Sequence, residues 1–582
     1  MQRSILATLL CLCAAGARAD MHVNITGIEG AARNNIEALL SITRYRDRDD
    51  IDEDTARRLS NRIDDEVKAA IRPFGYYEPK VETDPPRAEG RDWYFNIRVT
   101  PGTPVRIEKI NISIAGPGAD DPIFDPIRRQ TALVVGARLF HGSYEAVKGE
   151  MTRAAAANGY LDARLLGDDD GHFLVNPAAH TADIDLQLDT GPRYSFGQID
   201  IDQDVIRPEL MRRFLRFREG DPYDVSELLR TQFALDDSLY FSAVDVEPGN
   251  PDREALTVPL RITAAESRAV YEVGGGYGTD TGLRGTFGWT NSRLNDRGHR
   301  LRFELKASAT TRRIDSRYDI PIGDPALERF SIEALNRSEE LSDLDTNETT
   351  LRPSITRVHN RWQTVTSLAI TRTTTDDGEN RFSSKLLVPG IVVASVPKGY
   401  LGESLFSRGF YAELIGSHSA LGSDANFLRL DLQMERNLNL TDRWHLLLRG
   451  EFGTSLVSKF SEVPGIYRFF AGGDRSVRGF GYNTLSPEEP VTRGGVTELR
   501  KTGGRHLVVG SVEVVRDLPR NLGVATFFDF GNAFNTFKDP LEYAAGVGIR
   551  YRLQIVSVGL DVAKPLSTNG GLRLHLNIMT KL

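Results

Sequence analysis

The second half of the sequence, from about residue 269, alternates apolar and polar residues along segments of roughly ten residues. In HRLRFELKAS (299–308), for example, apolar side chains occupy positions 301, 303, 305 and 307, and polar or charged ones lie between them. Successive side chains of a strand point to opposite faces, so each segment predicts a strand with one apolar and one polar face. About sixteen such segments follow one another without helical spacing.

Two folds are compatible with this alternation. A soluble β-sandwich must cover its apolar face with another layer, and this half of the sequence offers no helices to do so. A membrane β-barrel turns the apolar face to lipid and the charged face to a hydrated lumen, and an even strand number suits a single-chain bacterial barrel. We therefore predict an all-β, 16-stranded antiparallel transmembrane barrel over residues 267–582, with the sandwich as the alternative.

The barrel must bring its first and last strands together, because an open sheet edge in lipid would leave backbone groups unsatisfied. The first candidate strand contains three consecutive glycines, which weaken a strand. We predict that the seam is the weakest part of the wall; the alternative is that the glycines only relieve crowding at a tight bend. The residues of interest at the seam are Val273, Gly274, Gly275, Gly276, Leu574, Leu576 and Ile578.

The first half mixes helical and strand spacing and repeats itself. A tyrosine turn between a helix and a strand recurs at Tyr76, Tyr160 and Tyr240, about 80 residues apart, which is typical of stacked copies of one unit. Each unit is predicted to run strand, helix, helix, strand, strand, as an α+β module with a three-stranded sheet. The predicted modules are residues 20–103, 104–192 and 193–266.

Residues 1–19 are predicted to be a secretory signal peptide, because a basic residue, an apolar stretch and an Ala-Arg-Ala site follow one another. The apolar stretch is too short for a membrane anchor, and no later apolar run is long enough for a membrane helix. Both cysteines, Cys11 and Cys13, lie in this segment. The mature chain is therefore expected to have no disulfide, thiolate metal site or cysteine nucleophile.

A connection of nearly fifty residues, about 458–505, interrupts the barrel strands and contains GGDRSVRGFGY. It is rich in aromatic residues, and long loops are usually functional or disordered. If it folds into the lumen, Arg478 needs carboxylate partners, because an unpaired buried charge is very costly. The next two strands offer Glu513, at a polar-face position, and Asp529, between Phe527 and Gly531.

The segments VRGF (477–480) and FFDFG (527–531) resemble the paired motifs of the Omp85 superfamily, whose members insert outer-membrane proteins or secrete polypeptides. The repeated modules resemble the POTRA domains of that superfamily. Three such modules and the sequence GGGYGTDTGLRGTFGWTNSRLNDRGHRL at the start of the barrel are most similar to its TamA branch, the outer-membrane subunits of the translocation and assembly module.

This resemblance implies a lumenal loop between barrel strands eleven and twelve, and a lateral gate between the first and last strands. It also implies an outer-membrane location with POTRA domains in the periplasm, and clients that are unfolded outer-membrane proteins of the autotransporter type. The expected partners are a TamB-like inner-membrane-anchored periplasmic protein and outer-membrane lipids. The residues implied to hold the loop are Arg478, Gly479, Phe480, Glu513, Asp529 and Gly531. This pairing either only stabilises the barrel or takes part in its working cycle.

Two other function classes remain as alternatives. A pore that exports polypeptides through a gated lumen suits the charged lumen but needs the loop to leave it. An enzyme is not expected: the sequence lacks G-x-S-x-G and H-E-x-x-H motifs, and we predict no catalytic residue, metal or cofactor. His575 is interpreted as an ordinary lumen residue. The acidic net charge of −8 gives no basic footprint for nucleic acid. The sequence ends NIMTKL, whereas many outer-membrane barrels end in an aromatic residue; Leu582 departs from that pattern.

Overall fold

The computed structural model describes residues 21–582 except for 46–50, 91, 130–132, 168–171, 342, 377–380, 396–408, 494–495, 553–555 and 581–582. The predicted signal peptide over residues 1–19 and the terminal Leu582 lie outside the described residues. Within the described ranges, no helix is both long enough and apolar enough to cross a membrane.

The first module packs short helices against a four-stranded sheet in which β4 is central. Strand β1 runs parallel to β4, and β2 and β3 run antiparallel to it. Asp52 caps one helix by accepting a hydrogen bond from the Thr55 backbone N at 2.8 Å. The elements are β1 (Met21–Thr26), α1 (Gly30–Leu39), α2 (Ser41–Arg44), α3 (Glu53–Ser60), α4 (Ile63–Ile71), β2 (Lys80–Thr83), β3 (Arg87–Glu89) and β4 (Asp92–Thr100).

The second and third modules follow the same plan. In the second, β8 is the central strand and β5 is its parallel neighbour; in the third, the strand order is β10-β11-β9. The elements of the second are β5 (Arg106–Ala115), α5 (Asp125–Arg129), α6 (His141–Ala157), β6 (Arg164–Leu166), β7 (His172–Asn176) and β8 (Thr181–Asp189). Those of the third are β9 (Ser195–Asp202), α7 (Pro208–Arg212), α8 (Val225–Asp236), β10 (Phe241–Pro248) and β11 (Thr257–Glu266).

Two details of the predicted modules are wrong. The first two sheets have four strands instead of three, because the short strands β3 and β7 each pair with the central strand. Over its described residues, the first module has four helices, α1 to α4, instead of the predicted two, and α3 and α4 are separated at Asn61 and Arg62. Each of these helices buries its own apolar residues, such as Leu59 in α3 and Val67 in α4.

The predicted 16-stranded antiparallel barrel is confirmed. Each strand pairs with the next, and β12 pairs with β29 to close the sheet. A separate hairpin of β23 (Glu488–Arg493) and β24 (Val496–Lys501) lies outside this order. The barrel strands are β12 (Val270–Gly278), β13 (Gly282–Asn291), β14 (Arg300–Ala307), β15 (Thr311–Pro321), β16 (Glu328–Leu341), β17 (Leu344–His359), β18 (Trp362–Asp376), β19 (Arg381–Ser395), β20 (Phe410–Ser417), β21 (Phe427–Asn439), β22 (Trp444–Val457), β25 (His506–Leu518), β26 (Leu522–Phe534), β27 (Glu542–Arg552), β28 (Val556–Pro565) and β29 (Arg573–Thr580).

Burial in the barrel is inverted relative to a soluble protein. Charged and polar side chains such as Asp319, Glu348 and Thr371 are buried, whereas apolar ones such as Leu351 and Ile370 are exposed. An interior of charged and hydroxyl groups inside an apolar outer wall is the arrangement of a membrane barrel. The β-sandwich alternative is therefore wrong.

The chain divides into two compact units, and most of the third module (199–217 and 227–248) belongs to the same unit as the barrel. Within that unit, the hydroxyl of Tyr240 donates to the Gly298 carbonyl at 2.7 Å, in the turn between β13 and β14. Gly298 has φ +71°, and a Cβ there would lie 2.7 Å from the Tyr240 hydroxyl oxygen. Arg207 Nε pairs with Asp296 Oδ2 in the same turn at 2.6 Å. The third tyrosine of the repeat thus helps to fix this turn.

Candidate functional site

The connection between β22 and β25 divides into two parts. Its first part folds into the barrel lumen, where Phe469 and Val477 are buried against Leu507 and Val509 on the inner wall. The second part is the β23–β24 hairpin, in which Leu499 is 67% exposed. This exposed hairpin therefore interrupts the predicted lumenal loop of about 458–505, and Thr502 and Gly504, which follow the hairpin, contact Arg468 and Phe469 in the first part. We call residues 460–485 the lumenal loop.

Arg478 lies in the lumenal loop with 2% of its surface exposed. Its Nε and Nη2 donate to Asp529 Oδ2 and Oδ1 at 2.7 and 2.9 Å, which is a bidentate contact. Its Nη1 donates to Glu513 Oε2 at 2.6 Å, and its guanidinium stacks over the Phe527 ring at 3.3 Å. The structure thus brings together the three charged residues that the sequence analysis selected for this contact.

Two further charged residues complete this cluster, and the sequence analysis did not select them for it. Asp561 on β28 accepts from Arg478 Nη1 at 3.3 Å. Arg550 on β27 donates to Asp561 Oδ1 at 2.5 Å and to Glu513 Oε1 at 2.9 Å. We call these two arginines and three carboxylates, Arg478, Arg550, Glu513, Asp529 and Asp561, the Arg478 network. Alternation along β28 is the sequence signal that could have placed Asp561 on the inner face.

The other three predicted loop residues act through packing. Gly479 has φ +95°, and a Cβ there would lie 3.2 Å from the Ala544 Cβ on the inner wall. Phe480 packs, partly buried, against the apolar cluster around Val477. Gly531 lies on β26, where a Cβ would lie 2.5 Å from the Val508 carbonyl oxygen. Both glycines therefore allow a backbone approach that a larger residue would prevent.

His575 is not an ordinary lumen residue, because it ties the loop to the last strand. Its side chain is 2% exposed, and its Nε2 accepts from the Gly479 backbone N at 2.9 Å. Its Nδ1 contacts Asp474 Oδ1 in the loop. Since Nε2 accepts a hydrogen bond, the proton lies on Nδ1 and is donated to Asp474. The lone histidine of β29 thus holds two points of the lumenal loop.

Asp280 extends this contact to the first strand. It lies in the turn between β12 and β13, and its Oδ2 accepts from the Asp474 backbone N at 2.7 Å. The side-chain atoms of Asp280, Asp474 and His575 that could coordinate a metal ion lie within 4.8 Å of one another. These atoms are engaged with one another and with the loop backbone, so we interpret the group as a hydrogen-bonded joint. We call these three residues the seam cluster, because they connect the first and last barrel strands through the lumenal loop.

The seam cluster predicts a pH dependence. Burial, and then the neighbouring Asp474 carboxylate, raise the pKa of Asp280 to about 6. Because folding raises the pKa of the Asp280 carboxyl, its protonated form stabilises the folded state at low pH. This contribution to the unfolding free energy is lost as the pH rises through about 6. Because the side chain is partly exposed, we expect an effect of about tenfold or less on the folding equilibrium.

The pH prediction is checked by chemical denaturation at pH 5 and pH 7.5. Asp280→Asn keeps the acceptor oxygen but cannot ionise, so its unfolding free energy should fall less than that of the wild type between these values. Equal pH slopes for the two proteins would show that Asp280 does not titrate in this range.

The seam itself is short. Within the described residues, the register between β12 and β29 consists of three pairs: Gly276 with Met579, Tyr277 with Ile578, and Gly278 with Asn577. The flanking ladders are longer, with nine pairs between β12 and β13 and eight between β28 and β29. Fewer shared backbone hydrogen bonds make this joint easier to separate than its neighbours.

The predicted gate residues contribute to the seam unequally. Of the seven, Gly276 and Ile578 lie within the three-pair register. Val273 and Leu574 are exposed on the outer wall, at 62% and 52%. Leu576 on the last strand is bonded to Thr279, which follows the first strand: the Thr279 backbone N donates to the Leu576 carbonyl at 3.2 Å.

The three glycines do not form a tight bend, because Gly274, Gly275 and Gly276 all lie within the continuous β12–β13 ladder. A Cβ at Gly276 would lie 2.7 Å from the Ile578 carbonyl oxygen across the seam, whereas one at Gly275 would meet open space. Gly276 therefore permits the close approach of the two strands.

Gly276→Ala is expected to push β29 away from β12 and to destabilise the barrel by about 1–3 kcal/mol, as overpacking does. Gly275→Ala is the matched control and should leave stability nearly unchanged. Denaturant titration of both variants in detergent measures the difference. Equal stability of the two variants would mean that the seam backbones are not in close contact.

Three family matches fit this architecture. The Omp85 superfamily domain matches residues 403–578. The POTRA domain TamA domain 1 matches residues 22–101, and the surface antigen variable number repeat, a POTRA family, matches residues 194–266. The chain is an Omp85 superfamily protein with POTRA domains. Its barrel lies in the outer membrane and its POTRA domains in the periplasm, so the predicted location is confirmed.

Two known proteins are similar in sequence to this Omp85 superfamily protein. Outer membrane protein assembly factor BamA of Nitratidesulfovibrio vulgaris is 23% identical over 393 residues, which are 60% of this chain and 45% of that protein. BamA of Neisseria meningitidis serogroup B is 28% identical over 172 residues, 28% of this chain and 21% of that protein. The alignments thus span less than half of the length of these relatives.

A solved structure shares the fold. BamA from Haemophilus ducreyi lacking POTRA domains 1–3 superposes with a TM-score of 0.63 at 16% identity, covering 81% of this chain and 99% of that chain. At this level of identity, the similarity supports the architecture of POTRA domains followed by a barrel.

Proposed function

We propose that this Omp85 superfamily protein inserts and assembles β-barrel proteins in the outer membrane, with the β12–β29 seam as a lateral gate. The three-pair seam beside full ladders carries this proposal. When the seam parts, the edges of β12 and β29 expose backbone donors and acceptors. A strand of an unfolded client adds to such an edge, and its hydrogen bonds replace those lost on opening.

The lumenal loop gives the gate a defined closed state. The Arg478 network anchors the loop to β25, β26 and β28, and the seam cluster joins it to both sides of the seam. Opening the seam separates Asp280 from His575, so Asp474 in the loop must release at least one of them. The loop therefore couples the state of the lumen to the state of the gate, beyond stabilising the wall.

This function needs no covalent chemistry, so we propose that the protein is not an enzyme and uses no cofactor. The energy comes from folding of the client or through a partner protein. In the POTRA sheets, β2 and β10 are edge strands, and strand addition at such edges can hold an incoming chain or dock a partner.

Within the superfamily, we propose a TamA-type role with autotransporter-type clients and a TamB-like periplasmic partner. The match of the first module to the POTRA domain TamA domain 1 supports this assignment. Co-purification of the full chain from membranes tests it. A large β-rich periplasmic protein anchored in the inner membrane should accompany the chain, and its consistent absence would contradict the TamA-type role.

Reconstitution separates the insertase from a secretion pore. The full chain in liposomes should accelerate the appearance of a folded, protease-resistant autotransporter barrel over empty liposomes. In planar bilayers, the loop-filled lumen should conduct little. A high conductance without faster client folding would favour the alternative, a pore that exports polypeptides through the lumen.

A further inference from the structure

The outer wall of the barrel has a groove of about 660 Å³ over strands β15 to β19. Its floor is apolar: Ile314, Leu351 and Ile370 line it and are 45–55% exposed. The neighbouring residues along these strands, such as Asp315 and Thr350, are buried toward the lumen. The groove therefore opens on the face that contacts lipid.

Two basic residues form one rim of this groove. Arg372 on β18 and Lys385 on β19 lie directly opposite each other in the ladder, and both are exposed. Like charges at directly opposed positions destabilise a sheet. Among the described residues, neither side chain forms an ion pair; Asp424 is bonded to Lys385, but through the backbone N of that residue, at 2.7 Å. Within the part of the chain that the structure describes, the two facing cations thus have no carboxylate paired with their side chains.

Hydrogen-bonding side chains continue this rim. Asn336 lies beside Thr349 in the next ladder, and its Nδ2 donates to the Thr349 hydroxyl at 3.0 Å. In the next row outward, the hydroxyls of Thr374 and Ser383 lie 3.0 Å apart. A third cation, Arg312, is exposed in that row. The groove thus changes from an apolar floor to a rim of amides, hydroxyls and cations.

The position of the rim identifies the leaflet. Strand β12 begins just after the third POTRA domain, so β12, β14, β16 and β18 all run away from the periplasmic end. Arg372 lies near the far end of β18, beyond Leu368 and Ile370. The cations therefore lie on the extracellular side of Leu351 and Ile370, as lipid head groups of the outer leaflet lie outside their acyl chains.

We propose that this groove binds a phosphorylated lipid of the extracellular leaflet. Arg372 and Lys385 share one phosphate, which relieves their mutual repulsion with charge-assisted hydrogen bonds. The acyl chains lie along Leu351 and Ile370 on the floor. The site lies on strands four to eight of the barrel, away from the gate, and does not depend on the proposed function.

Native mass spectrometry of the delipidated full chain in non-ionic detergent tests the proposal. The probes are bisphosphorylated lipid A, lipid A with both phosphates removed, and inorganic phosphate. The wild type should retain one bisphosphorylated lipid A, and R372A/K385A should bind it about tenfold or more weakly, as expected for the loss of charge-assisted hydrogen bonds. Arg436→Ala is the matched control and should bind normally. It removes an exposed cation near the C-terminal end of β21, a strand outside the groove.

Thermal unfolding provides a second readout, because the proposal predicts opposite effects of the double substitution on the unfolding temperature without and with lipid. Without lipid, R372A/K385A should unfold at the same or a higher temperature than the wild type, because the repulsion is gone; with bisphosphorylated lipid A, only the wild type should gain stability. Equal lipid binding by wild type and double variant would overturn the proposal. Equal binding of the dephosphorylated lipid would also overturn it, as would inorganic phosphate that binds as tightly as the lipid. Displacement of the lipid by a client polypeptide at equal affinity would assign the groove to protein.

Discussion

Replacing Arg478 with alanine is expected to destabilise the folded barrel by about 3–5 kcal/mol, because removing one partner of a buried ion pair leaves the other uncompensated. Asp529 is fully buried and Glu513 is 4% exposed. Arg550 remains to pair with Glu513. Of the described contacts made by the Asp529 carboxylate, only those with the Ser511 hydroxyl, at 2.6 Å, and with the backbone N of residue 478, at 3.1 Å, do not involve the guanidinium. The lumenal loop should then leave the wall, and the unfolding free energy in urea measures the loss.

Arg475 is the matched control for this experiment, because it lies three residues earlier in the same loop and is exposed. Arg475→Ala should change the unfolding free energy by less than about 0.5 kcal/mol. Arg478→Lys keeps the charge but loses the bidentate contact, so it should fall between the two. Equal stability of Arg478→Ala and Arg475→Ala would contradict the anchoring role of the network.

The central contact of the site could be predicted from sequence because two independent signals agree on it. Alternation along β25 places Glu513 on the polar face, the FFDFG segment on β26 contains Asp529, and the loop motif around Arg478 supplies the opposite charge. The fold class could be predicted for a similar reason: in segments such as β14, the period of two is clear and local. Neither inference requires knowledge of which strands are neighbours.

The seam cluster could not be predicted, because it depends on the three-dimensional path of the loop. Asp280, Asp474 and His575 are separated by 194 and 101 positions, and no spacing rule relates them. Alternation placed His575 inward but could not show which loop atoms would meet it. A chance histidine on an inner wall looks the same in sequence as one that holds a loop.

The outer-wall cations show a similar limit. Alternation places Arg372 and Lys385 on the lipid-facing side of their strands, but only the ladder register brings them directly opposite each other. Register depends on the length of the connection between β18 and β19 and on packing across several strands. The sequence therefore indicates exposed cations, and the structure shows that two of them lie directly opposite each other on neighbouring strands.

A reversible disulfide across the seam tests the gate most directly. Tyr277→Cys with Ile578→Cys joins β12 and β29 at opposed positions, and outside the predicted signal peptide the sequence contains no other cysteine. Leu560→Cys with Leu576→Cys is the matched control, because it joins β28 and β29 within a ladder that need not open. Both pairs are compared, oxidised and reduced, in the liposome assay of client folding.

We predict that the oxidised seam variant folds the client no faster than empty liposomes do and that reduction restores its activity. The control pair should be active in both states. An oxidised seam variant that assembles the client at the wild-type rate would contradict the lateral gate.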